Sequence, residues 1–173
     1  NHHTTTCSGH KSQLKFFLFS YKNKEKGINK DFYYWLRTLA NYEAFQECIA
    51  LSEKNLIEQY DMELALRFII FVNQNLEAFE HNRDIGEYLT DAMIKLASDE
   101  NFNKNEVESK FKGTFDTLVA CLGPNSFRRW DNSKNKFLGG FLLSPFEVIA
   151  FGIGYNYPNI PSPQIEEKVK SLY

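Results

Sequence analysis

The sequence has almost no charge imbalance: 20 Lys and Arg stand against 22 Asp and Glu, a formal net charge of -2. Such a chain creates no long-range basic field, so any contact with nucleic acid has to come from a local patch. Cysteine is scarce. Cys7, Cys48 and Cys121 are odd in number and widely separated, without zinc-ligand or redox-motif spacing and without the even set of a disulfide framework. They read as buried, reduced thiols, and the chain as cytoplasmic. No secretory leader is expected, and an unbroken apolar run is missing. The longest candidate, Phe137 to Tyr157, is interrupted by Gly139, Gly140, Pro145, Glu147, Gly152 and Gly154. A spanning helix needs about 20 apolar residues, so this stretch reads as core and no membrane partner is expected.

Aromatic rings are what the chain has in abundance. The 173 residues include 16 Phe, 9 Tyr and 2 Trp. Rings bury large areas each, so a few helices suffice to close a core from them, and the length suits one domain. The first residue is Asn1, which leads us to expect a start inside a longer reading frame or after a processed tag. Residues 1–30 read as a poorly ordered or linking segment, polar to Ser12 and then apolar from Leu14 to Tyr21 as strand or short helix. Residues 31–173 read as one all-α domain.

Within that domain Phe32, Trp35, Leu36, Leu39 and Ala40 fall at i, i+3, i+4, i+7 and i+8, the stripe of an amphipathic helix. Glu43 to Leu51 makes a short second helix. Asp61 to Gln74 is apolar on nearly every face and reads as a central buried helix. Asp84 with Glu87, and Asn103 with Glu106, carry capping-box spacing ahead of two further helices, the second stopped at Gly123. Pro124 to Gly140 reads as loop. Ser144-Pro145-Phe146-Glu147 and Ser162-Pro163 read as serine-capped starts of two last helices, the final one turning Ile165, Val169 and Leu172 inward. Roughly seven helices in an irregular bundle are expected.

Two places carry charge worth weighing. Arg67 stands among Leu64, Leu66, Phe68, Ile69 and Ile70, where an unpaired guanidinium would cost several kcal/mol. Glu63, one turn earlier, offers a structural ion pair in the favourable order, and Asp61 is a second candidate partner. Phe127-Arg128-Arg129-Trp130, followed by Lys134 and Lys136, interleaves basic and aromatic residues. That combination can track a phosphate backbone and stack on bases, or it can be a loop whose Phe127 and Trp130 plug the core. Arg128, Arg129, Trp130, Lys134 and Lys136 are therefore the candidate nucleic-acid residues. His2, His3, His10 and His81 give no metal-ligand spacing, and Ser8-Gly9-His10-Lys11 is adjacency without triad geometry. Gly152-Ile153-Gly154 opens no phosphate loop. No catalytic residue, metal or cofactor is expected in this chain.

Several stretches resemble the helical C-terminal region of a large bacterial family whose N-terminal part is a ParB-like domain. It includes GmrSD-type modification-dependent restriction enzymes and phage-defence proteins. The resemblance is carried by Phe32 to Leu39, Glu58 to Phe71, Gly86 to Met93 and Phe111 to Leu122. It continues through Gly123-Pro124-Asn125-Ser126-Phe127-Arg128 and Ser144 to Gly154. It implies a helical accessory domain that packs on an upstream ParB-like domain and contacts DNA. In that family the nucleotide-dependent, nuclease-like chemistry belongs to the ParB-like domain, marked by an Asp-Gly-Gln-Gln-Arg stretch, and many members add an HNH-type nuclease domain; this chain has neither, so no catalytic role carries over. From a different class comes the alternative of a protein–protein interaction module with no nucleic-acid role.

Overall fold

The computed structural model describes residues 30–73, 84–159 and 164–173. Among these are the helices Lys30–Ala40 (α1), Glu43–Ile49 (α2), Glu53–Ile57 (α3), Tyr60–Asn73 (α4), Ile85–Ser98 (α5) and Lys104–Cys121 (α6). A hairpin of Arg129–Asp131 (β1) and Lys136–Leu138 (β2) follows, then Leu143–Asn156 (α7) and Ile165–Lys170 (α8). The fold is all-α, with one small two-stranded sheet among the described residues.

Helix α4 is the axis of the bundle. Helices α1, α3, α5, α6 and α7 all pack against it, which is why Met62, Leu64 to Ile70 and Val72 are buried on every side. Its low amphipathicity is thus a consequence of position. Helix α2 lies on α6 and brings Phe45 onto Phe111 and Phe115, at ring-centroid distances of 5.0 and 4.8 Å. Phe68 of α4 meets the same two rings at 5.3 Å each, and Phe146 of α7 lies 6.5 Å from Phe115. Apart from the near-parallel Phe115–Phe146 pair, these contacts are tilted or edge-on, which is favourable for rings.

The helix starts follow their sequence signals. The Asp84 carboxylate accepts from the Gly86 and Glu87 amides at 2.9 and 3.0 Å. Asn103 Oδ1 accepts from the Glu106 amide at 3.2 Å, while its own amide donates to Glu106 Oε2 at 3.4 Å. Both remove orphan N–H groups from a first turn. Beyond α6 the chain turns at Gly123, whose φ of +51° disfavours any side chain.

Three local expectations are corrected and one helix is added. The stretch Pro124 to Gly140 contains the hairpin, with Arg129 paired to Leu138, Trp130 to Phe137 and Asp131 to Lys136. Strands of three residues are too short for their alternation to be read. Helix α7 begins at Leu143 with no side-chain cap, so Ser144 and Pro145 sit inside its first turn, where a missing N–H costs nothing. Leu172 is exposed, because α8 ends at Lys170. The short helix α3 was not foreseen; its start is Ser52, whose Oγ accepts from the Asn55 amide at 3.4 Å. Cys7, Leu14 to Tyr21 and Ser162-Pro163 lie outside the described residues.

One close approach fixes the packing of α7 on α4. A Cβ on Gly154 would lie 2.6 Å from Phe68 Cζ and 3.0 Å from Val72 Cγ2. The Phe68 ring is held by its neighbours and cannot step aside. We expect Gly154→Ala to lose about 1–3 kcal/mol by overpacking. A lower urea midpoint at unchanged slope would show it, and an unchanged midpoint would contradict the approach.

Candidate nucleic-acid interface

The hairpin is built around Trp130. Phe127 ahead of it is buried against Phe141 and Phe146, with ring centroids at 5.9 and 5.1 Å, and its carbonyl accepts from the Leu142 amide at 2.9 Å. This closes the segment on the bundle. Trp130 is 9% exposed. Its ring meets Phe137 edge-on at 4.9 Å, Lys170 Nζ of α8 lies 4.5 Å from its centroid, and its indole N–H donates to Asn132 at 2.9 Å.

Directly opposed residues of an antiparallel pair share a face. Trp130 and Phe137 therefore take one face, and Arg129, Asp131, Lys136 and Leu138 the other. Arg129, Lys134 and Lys136 are exposed. Asp131 Oδ1 accepts from Ser133 Oγ at 2.6 Å and from the Lys134 amide at 3.0 Å, which ties the turn. The Ser133 hydroxyl, then the Lys134 amide, hold the Asp131 carboxyl below its ordinary value. Lys134 Nζ stands 4.0 Å from the same carboxylate. Arg128 is half-buried, and its Nε is buried without a hydrogen bond to a described residue.

The five candidate residues thus divide. Arg129, Lys134 and Lys136 form a solvated basic edge. Arg128 is partly withdrawn, and Trp130 belongs to the packing beneath. This arrangement offers cations to phosphate oxygens and no ring to a base. The lysine over the indole is a signal that sequence reading passed over, because Lys170 is distant in the chain.

The other charged group lies far along the chain from the hairpin. Arg67 is 6% exposed. Its Nε and Nη2 donate to Glu63 Oε1 at 3.1 and 2.9 Å, and its Nη1 to Glu147 Oε1 of α7 at 2.9 Å. Asp61 is not its partner; that carboxylate accepts from Gln46 at 3.2 Å. The third member, Glu147, came from a helix whose packing the sequence does not reveal. Burial pushes the neighbouring Tyr60 phenol up to about 12.

Compared with protein-family models, curated proteins and solved structures, the chain gives a plain outcome. It matches none of them. Among the described residues, no three His, Cys, Asp or Glu are grouped to hold a metal ion, and all four histidines fall outside that set. Cys48 is buried and its thiol is pushed up to about 12 by that burial, which leaves it an inert core group. Among the described residues no helix is long and apolar enough to cross a membrane.

Proposed function

We propose that this chain is the helical accessory domain of a ParB-like, GmrSD-type DNA restriction or phage-defence protein. In this reading it packs on an upstream ParB-like domain and touches DNA phosphates through the hairpin. The order of resembling stretches supports the family. The observation that carries the DNA contact is the exposed trio Arg129, Lys134 and Lys136 on a hairpin whose aromatic face is turned inward. Cations without a stacking platform give affinity for the backbone and no sequence discrimination. A second reading, a docking module without a nucleic-acid role, is favoured by Val148 and Tyr155. They are 60% and 67% exposed and lie seven residues apart on α7, close to the same face.

Fluorescence anisotropy with short duplexes of unrelated sequence separates the two. The expected result is similar affinity for all duplexes, unchanged Trp130 emission, and loss of binding in Arg129→Ala/Lys134→Ala/Lys136→Ala. Absence of binding at low salt would remove the DNA contact and leave the docking module.

A further inference from the structure

Away from the hairpin, α1, α2 and the start of α4 enclose a cleft of about 310 Å³. Its walls are mostly polar, with Leu56 of α3 and Met62 of α4 as the apolar part. Tyr33 and Arg37 come from α1, Asn41 from the turn after it, Gln46 from α2, and Gln59 and Asp61 from the entry to α4. Gln59 holds a φ of +56°, a backbone state that non-glycine residues adopt rarely. Asp61 is 9% exposed. Gln46 Nε2 donates both to Asp61 Oδ2 at 3.2 Å and to the Ala40 carbonyl, so the amide is held from two sides. Burial raises the Asp61 carboxyl above its ordinary value, against the Met62 amide, Gln46 and the more distant charge of Arg37.

Arg37 faces the same cavity from an exposed position. Its charge reaches Asp61, yet the two make no ion pair, and among the described residues no other carboxylate pairs with this guanidinium. A carboxylate and a guanidinium that share a cavity without closing on each other are complementary to a ligand carrying the two opposite charges. A single ion would satisfy one of them and be repelled by the other. The amides of Asn41 and Gln59 add neutral donors and acceptors along the wall.

We propose that this cleft binds a small zwitterion of the α-amino-acid type, its ammonium on Asp61 and its carboxylate on Arg37. The site is independent of the hairpin and of the family reading. Asp61 supplies the buried acceptor and Gln46 positions it. Arg37 takes the ligand carboxylate, for which the guanidinium fork is suited. The side chain of the ligand extends along Asn41 and Gln59, which favours a polar one.

The test is calorimetric titration of the purified chain with each free L-amino acid, beside acetate and methylamine as single-charge probes. We expect saturable binding of one or more amino acids and none of either probe. Arg37→Ala and Asp61→Asn should each weaken that binding by about tenfold or more, as loss of a charged hydrogen bond does. Arg37 is exposed, so its variant remains informative if Asp61→Asn melts early in the unliganded state. Failure of every amino acid to bind, binding that survives both variants, or equal heat from acetate would overturn the proposal.

Discussion

Phe115→Ala is expected to lower the stability of this domain by about 3–5 kcal/mol, the cost of removing a fully buried ring. Phe115 is the place where three helices meet a fourth. Its ring lies 4.6 Å from Phe111, 4.8 Å from Phe45 and 5.3 Å from Phe68, and Phe146 reaches it from α7 at 6.5 Å. None of these neighbours can fill the space by itself, because each ring is held by others. In a domain of this size the loss corresponds to a fall of roughly 6–20 °C in Tm. Phe115→Leu, which keeps most of the volume, should lose clearly less. Equal melting temperatures for the two variants would mean that the rings are loosely packed and that the bundle is held elsewhere.

The second large effect is at the buried ion pair, and it is asymmetric. Glu63→Leu takes away the acceptor of both Arg67 Nε and Nη2 and leaves the guanidinium with Glu147 alone. The Glu147 side chain is 36% exposed, so it is shared with water and compensates only part of the charge. Stranding a buried cation costs about 3–5 kcal/mol. Arg67→Met in turn leaves Glu63, whose side chain is 12% exposed, without its cation, while Glu147 turns to solvent. A carboxylate can be neutralised by a proton where a guanidinium cannot, so this loss should be smaller than that of Glu63→Leu. The double variant Glu63→Leu/Arg67→Met should then be more stable than Glu63→Leu alone, a coupling visible in a thermodynamic cycle from urea unfolding. Additive losses would show that the three groups do not act as a unit.

What could be read from the residues was local. The caps at Asp84 and Asn103 and the stop at Gly123 follow from side-chain chemistry within a few residues, and the helices they bound are where the spacing puts them. The buried character of α4 was equally plain, because Asp61 to Gln74 is apolar on nearly every face. The partners of its charges were less so. Glu63 is one turn from Arg67 and was accessible to helix geometry. Glu147 is separated from it by 80 residues, and only the packing of α7 brings it there. The same holds at the hairpin. Its basic residues stand out in the sequence, but the direction of Trp130 is set by Phe137 and by Lys170 arriving from α8. The cleft escaped notice altogether, since Arg37, Gln46 and Asp61 carry no motif and meet only through three helices.

If the hairpin holds DNA by its phosphates, binding must weaken steeply as salt rises, and these three cations must carry that dependence. Affinity for one duplex would be measured from low to moderate salt for the wild-type chain and for Arg129→Ala/Lys134→Ala/Lys136→Ala. Each phosphate contact to duplex DNA contributes about 0.9 to the slope of log affinity against log salt. The variant is expected to lose roughly 2–3 from that slope, together with most of its affinity at low salt. A slope identical in the two proteins, or no binding by the wild type at low salt, would contradict it.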